Sequence, residues 1–167
     1  MLGKFQDEPA PEHWRMLQHL IRYLKATIDF GIFIPPGSGD IKFEAWTDSD
    51  WARDKTKRRS RTGYCLTING GPIVWCSKLQ KSTAQSSTEA EFIALQQATR
   101  EIRWVQSVLI ELDIDVNFPT KVNQDNLGSI KWTNAVQGLR NVKHIEVKYH
   151  YVRDHVDNKH IVVLYVP

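Results

Sequence analysis

Ser86-Ser87-Thr88-Glu89-Ala90-Glu91-Phe92-Ile93-Ala94-Leu95 is the stretch on which the fold turns. Ser86 or Ser87 suits a helix N-cap, and Glu89 stands three residues after Ser86, the spacing of a capping box. Downstream, Leu95, Ala98, Ile102, Val105, Leu109 and Leu112 recur in steps of three and four, so one helix runs to about Leu112 with one apolar face. Four residues back from Leu95, the same face presents Glu91. A carboxylate on a face bound for the core is costly unless it is paired or holds a metal. At a helix start, however, the face is still open to water and the dipole favours acids. The helix alone leaves both readings open.

Upstream, Ile41 to Asp48 alternates apolar and polar residues, which predicts a strand ending at Asp48. Gly63–Ile68 and Ile73–Cys76 are two further strands, joined by Asn69-Gly70-Gly71-Pro72, whose Asn-Gly pair suits a hairpin. Downstream of the helix come a short strand at Lys121–Asp125 and a weak helix near Asn126–Asn134. A helical stripe of Ile145, Tyr149, Val152 and Val156 follows, then an apolar strand at Ile161–Val166. The order β-β-β-α-β-α-α-β predicts an α/β domain with a five-stranded mixed sheet flanked by helices. Ahead of it, after a polar lead-in over residues 1–12, Trp14, Leu17, Ile21, Leu24 and Ile28 mark an amphipathic helix over His13–Ile28. Pro35-Pro36-Gly37-Ser38-Gly39 reads as a linker, so the expected parts are residues 1–34 and 40–167.

Asp48 and Asp125 fall at the ends of two strands predicted to be neighbours, where ligand sites form in α/β sheets. With Glu91 they make three acids able to meet at one point, and they repel one another unless a divalent cation lies between them. Oxygen ligands with no His or Cys among them select Mg²⁺ or Mn²⁺. Such clusters are a usual means of cleaving phosphodiesters.

The bulk composition admits this and excludes other classes. The chain has 167 residues, 41% of them hydrophobic and 25% charged, which suits a globular protein with a proper core. No apolar run approaches the roughly 20 residues of a membrane span, and the first residues lack the apolar stretch of a secretory signal. An intracellular location, cytoplasmic or nuclear, is expected, with Cys65 and Cys76 as reduced thiols buried in the core. Net charge is only +3, but Arg53, Lys55, Lys57, Arg58, Arg59 and Arg61 cluster against a lone Asp54. That run is either a solvated loop or a patch for phosphates. Trp51 beside it is a candidate for stacking on bases, whereas Trp14, Trp46, Trp75 and Trp104 are expected to be core or half-buried. His144, His150, His155 and His160 lie six, five and five residues apart, which gives no helical pair of metal ligands and predicts surface histidines.

Local sequences then become specific. Thr47-Asp48-Ser49-Asp50-Trp51-Ala52, Ser60-Arg61-Thr62-Gly63-Tyr64, Trp75-Cys76-Ser77-Lys78-Leu79-Gln80 and Ser86–Leu95 resemble, in order, segments of copia-type retrotransposon polyproteins. Asp125-Asn126, Lys143-His144-Ile145-Glu146 and Tyr149-His150 continue the series. His13-Trp14 and Arg22-Tyr23-Leu24-Lys25-Ala26-Thr27 look like the end of the reverse transcriptase region of those polyproteins. The resemblance implies a ribonuclease H-like fold over 40–167 and degradation of the RNA strand of RNA–DNA hybrids. It assigns Asp48, Glu91 and Asp125 as catalytic metal ligands, preferring Asp48 to Asp50 and Glu91 to Glu89, whose places are solvent-facing or capping. The partners implied are the hybrid and the remainder of the polyprotein. The cations of the Arg53–Arg61 run and Trp51 become nucleic-acid contacts, and His150 the best placed histidine for assisting product release.

Departures accompany the likeness. The family carries a fourth carboxylate beyond the last strand, and the sequence stops at Pro167, so the domain is expected to be truncated there. Arg53 replaces a glycine usual in the family. An alternative is therefore a nucleic-acid-binding or interaction fragment that keeps the fold without the chemistry. An integrase-like core is discounted, because its acids run Asp, Asp, Glu.

Overall fold

The computed structural model describes residues 2–37, 41–54, 57–116, 118–134 and 143–167, in two compact units, Met1–Ile32 and Phe33–Pro167. Lys55 and the end of the Pro/Gly linker lie outside the described residues. In the first unit a 3₁₀ turn, Leu2–Phe5, precedes helix α1, Pro11–Ala26. Pro11 opens the helix where its missing N–H costs nothing, and Phe5 stacks on His13 at 3.9 Å between ring centres. The amphipathic pattern is real, yet no residue of α1 is buried and Trp14 is exposed, because this unit has no second layer of its own to cover the stripe.

The second unit holds strands β1 (Phe43–Asp50), β2 (Arg61–Ile68) and β3 (Gly71–Leu79), helix α2 (Ser87–Glu111), strand β4 (Thr120–Gln124), helices α3 (Leu127–Asn134) and α4 (Lys143–Asp157), and strand β5 (Ile161–Tyr165). The sheet runs β3-β2-β1-β4-β5, antiparallel over the β1–β2–β3 meander and parallel from β1 to β4 to β5. Asn69 and Gly70 make the β2–β3 turn with φ of 52° and 85°, the positive values a two-residue hairpin with right-handed strand twist requires. Element order and strand count follow the sequence pattern throughout.

Alternation decides the layering. Phe43, Ala45 and Thr47 are buried on one face of β1, as are Val122 and Gln124 on β4. Phe43, Ala45 and Val122 pack with Phe92, Leu95, Ile102, Val105 and Leu109 of α2 and Tyr149 and Val152 of α4. Trp46, Cys65 and Trp75 are partners across β1, β2 and β3 and share the opposite face. Trp46 and Trp75 are exposed there, as is Trp104 on the outside of α2, so the expectation that these tryptophans are core or half-buried fails. The helices that could bury Trp46 and Trp75 pack on the other side of the sheet. Leu112, expected in the α2 stripe, is likewise exposed at the helix C-cap. Cys65 and Cys76 are free and half-buried, not core thiols, and because Cys76 pairs with Tyr64 they lie on opposite faces.

Buried amides tie the layers together. Gln80 Nε2 donates to Thr62 Oγ1 (3.1 Å) and to the Ala90 carbonyl (2.9 Å), anchoring the start of α2 to β2. Gln106 Nε2 donates to Thr120 Oγ1 (2.8 Å) and the His160 carbonyl (3.0 Å), fixing the middle of α2 to the far end of β4 and β5. Each such bond is worth about 1 kcal/mol net, and more is lost if its buried partner is orphaned.

Two histidines expected at the surface meet instead. His155 on α4 and His160 before β5 place their Nδ1 atoms 3.1 Å apart, half-buried, with Tyr151 edge-on to His155. Burial and the nearby Arg103 guanidinium lower the pKa of both, with His160 and Asp154 acting in opposite senses on His155. The fold thus favours neutral imidazoles. Their contribution to stability is intact above the unfolded pKa near 6.5 and is lost as pH falls from there through the lower folded values. The melting temperature should fall between pH 7.5 and pH 5.5 in wild type and fall less in His155→Gln; equal falls in the two proteins would contradict this role.

Among the described residues, no helix is long and apolar enough to cross a membrane.

Candidate metal centre and nucleic-acid interface

Asp48 lies near the end of central strand β1, and Asp125 directly follows β4. The parallel register pairs Trp46 with Asn123, so two residues further on the two aspartates stand side by side. Glu91 reaches the same place from the second turn of α2. Ser86 Oγ accepts from Glu89 N (3.1 Å), fixing the helix start, and Glu89 returns its carboxylate to Gln85 N (2.8 Å). The capping box therefore closes one residue earlier than the spacing suggests, and Glu89, although it caps, is buried.

One carboxylate oxygen from each of Asp48, Glu91 and Asp125 lies within 4.8 Å of the others. Two oxygens sharing one octahedral Mg²⁺ are about 3–4 Å apart at bond lengths near 2.1 Å, so the trio falls close to the required span. The donor set is all hard oxygen, and none of the ion pairs formed among the described residues reaches it. Glu91 is the buried member, at 6% exposure, while the aspartates are open to solvent. Burial, followed by the charges of Asp48 and Asp125, pushes its carboxyl up to about 7, against hydrogen bonds from Ser49 that favour the anion. A divalent cation would relieve all three strains at once, and the residues present fit one. Asp48 and Asp125, but not Glu91, line a cavity of about 440 Å³ together with Trp46, Gly63, Cys65, Asn123 and Val166 among others.

The basic run forms the connection from β1 to β2 beside this centre. It doubles back tightly, with Arg58 N donating to the Asp54 carbonyl (2.7 Å) and Asp54 N to the Arg59 carbonyl (3.2 Å). Several of its cations have local partners. Arg53 pairs with Asp50 at 2.8 Å, Arg59 faces Asp54 at 3.9 Å, and Arg61 donates to the Ser77 carbonyl at 3.2 Å. Lys57 and Arg58 are exposed, as are Lys78 and Lys81, which sequence reasoning passed over and which the β2–β3 register brings to the same end of the sheet. Trp51 is half exposed, its indole N–H held by the Ala84 carbonyl at 3.3 Å.

Sequence reasoning also missed Gln124 and Ser129. Gln124, 2% exposed, donates to the Glu91 carbonyl (3.2 Å) and Oε2 (3.4 Å) and accepts from Ser129 Oγ (2.6 Å). The signal was available: Gln124 shares the inward face of β4 with Val122, a polar residue in a core position just as Glu91 is on α2.

No family model matches the chain. Over 166 residues, 99% of its length, it is 36% identical to the retrovirus-related Pol polyprotein from transposon RE2 of Arabidopsis thaliana. It is also 36% identical over 164 residues to that from transposon TNT 1-94 of Nicotiana tabacum. The chain spans only 11% and 12% of those relatives. Among solved structures, a ribonuclease H1 isolated from compost superposes with a TM-score of 0.54 at 18% identity, covering 75% of this chain and 84% of that one. The same enzyme in complex with an RNA/DNA hybrid gives 0.51 at 16% identity, covering 75% and 86%. The chain therefore has the ribonuclease H fold and, by sequence along almost its whole length, belongs to the retrovirus-related Pol polyproteins of transposons, of which it matches one segment.

Proposed function

We propose that this segment cleaves the RNA strand of RNA–DNA hybrids by metal-dependent hydrolysis, with Asp48, Glu91 and Asp125 holding Mg²⁺ or Mn²⁺. The observation that carries the reading is the convergence of three carboxylates from β1, α2 and the end of β4 within 4.8 Å. The hybrid bound by the compost enzyme of the same fold supports the substrate class. When bound, the divalent ions supply an activated water and neutralise charge at the leaving oxygen. The chain's own residues do the rest. Asp48 and Asp125 present open carboxylates at adjacent strand ends, and Glu91 closes the set from the buried side. The exposed Arg53, Lys57 and Arg58, with Arg59, Arg61 and, from the sequence, Lys55, meet phosphates, and Trp51 walls the approach or stacks on a base. Discrimination for RNA rests on the 2′-hydroxyl and hybrid shape. Residues 1–34 correspond in this reading to the end of a reverse transcriptase region, and 40–167 to its nuclease domain.

The purified chain, given a labelled hybrid at millimolar Mg²⁺ or Mn²⁺, should cut the RNA strand and leave single-stranded RNA and duplex DNA alone. One observation favours a second reading: among the described residues the acidic group counts three members, not the four of the resemblance. Binding of hybrid without cleavage under both metals would establish that non-catalytic reading instead. In either case Arg58→Ala should lower the slope of log affinity against log salt by about 1, as for one phosphate contact. An unchanged slope would remove Arg58 from the interface.

A further inference from the structure

Glu91 is useful as a ligand only if its carboxylate is held in one orientation, and the surrounding hydrogen bonds show how that is done. Oε1 accepts from the backbone N–H of Ser49 at 3.1 Å, and Oε2 lies 3.4 Å from Gln124 Nε2. The two oxygens are thus engaged from two neighbouring parallel strands, β1 and β4, which also carry or directly precede the two aspartates. A primary amide buried to 2% exposure at the end of a strand is costly unless every polar atom is satisfied. Gln124 meets that condition. Its NH₂ group serves the Glu91 carbonyl and carboxylate, and its Oε1 accepts the 2.6 Å bond from Ser129 Oγ.

The polarity of this chain is fixed by chemistry. The Glu91 backbone carbonyl, and its carboxylate when ionised, offer only acceptors to Gln124, so the NH₂ end faces them. The amide oxygen then needs a donor, and the Ser129 hydroxyl supplies one. Ser129 in turn donates its backbone N–H to Asn126 Oδ1 (2.9 Å), which caps the first turn of α3 immediately after Asp125. The side chains of Gln124 and Ser129 therefore couple the turn that carries Asp125 to the helix that carries Glu91. Gly128 is part of the same junction. A Cβ there would meet Thr88 Oγ1 at 2.9 Å and Asn126 Oδ1 at 3.0 Å, so α3 approaches the start of α2 as closely as a bare backbone allows.

We propose that Gln124, backed by Ser129, is a positioning residue for the metal centre: it orients the Glu91 carboxylate and sets its separation from Asp125. The inference rests on the reading of Asp48, Glu91 and Asp125 as metal ligands. Partners of this kind behind a ligand typically govern 10–100-fold in metal affinity.

Mn²⁺ is the probe, its free concentration followed by electron paramagnetic resonance as it is titrated into wild type, Gln124→Met and Ser129→Ala. Methionine matches glutamine in length and cannot donate. Gln124→Met should raise the Mn²⁺ concentration for half occupancy about tenfold, and Ser129→Ala by a smaller factor. Cleavage of hybrid by Gln124→Met should recover to within a few-fold of wild type once Mn²⁺ is saturating, and circular dichroism should show a folded protein. Wild type and Gln124→Met binding Mn²⁺ with the same midpoint would overturn the positioning role while leaving the metal centre standing. Wild type that binds no Mn²⁺ would overturn the metal centre itself. Should Gln124→Met fail to fold, Ser129→Ala decides the matter, and a midpoint equal to wild type refutes the proposal.

Discussion

Asp48→Asn should abolish metal-dependent hybrid cleavage while leaving the fold as stable as before, or more so. Asparagine keeps the shape of the side chain and removes its charge. Losing one of three carboxylates weakens the hold on divalent ions and the charge stabilisation they bring, on the order of several kcal/mol, or a thousandfold and more in rate. Stability should move the other way. Asp48 is the first of the two charges that push Glu91 up to about 7, so its removal relieves a repulsion that the metal-free fold otherwise bears. Cleavage is measured on a labelled hybrid in Mg²⁺ and melting in EDTA, for wild type and variant. Undiminished cleavage would sink the assignment. A large drop in melting temperature would instead make Asp48 structural.

Phe92→Ala should produce the largest loss of stability. Phe92 is fully buried, its ring centre 5.7 Å from that of Trp132 and 6.2 Å from that of Tyr149, so it joins α2 to α3 and α4. Removing a buried phenylalanine costs about 3–5 kcal/mol. A domain of this size has about 5–15 kcal/mol in total, and each kcal/mol shifts melting by roughly 2–4 °C, so a fall of about 10–15 °C is expected. Because the neighbouring residue is Glu91, hybrid cleavage should be lost at temperatures where wild type still works. Trp104→Ala on the exposed side of the same helix is the control, with a change within about 0.5 kcal/mol. A comparable loss in the two variants would mean that the packing of α2 is not as described.

Much of this was legible beforehand because it is periodic. The α2 stripe picks out Glu91 as an anomaly, and the strand-end positions of Asp48 and Asp125 follow from where the alternation stops. The tryptophans were misread because size was weighed above phase. On β1, Trp46 falls in step with Glu44 and Asp48, not with Phe43, Ala45 and Thr47, and the polar company marks its face as the uncovered one. The His155–His160 pair was invisible for a different reason. It spans the turn from α4 into β5, and spacing rules within one helix say nothing about contacts made by a reversal of the chain. Gln124 is harder to see because β4 has only five residues, which leaves Val122 as its one apolar neighbour in phase.

The three acids are not held with equal firmness. Asp48 belongs to the longer of two neighbouring strands, β1 and β4, both bonded on either side, and Glu91 to a helix of 25 residues. Asp125 stands between a strand of five residues and a helix of eight, and so short a helix does not persist without its tertiary contacts. Local opening is therefore expected to begin at α3, on the Asp125 side, below global melting. If the three acids hold an ion as proposed, warming should release Asp125 first, so metal affinity declines on a gentler and earlier curve than the loss of secondary structure, and a bound ion would clasp α3 to the sheet.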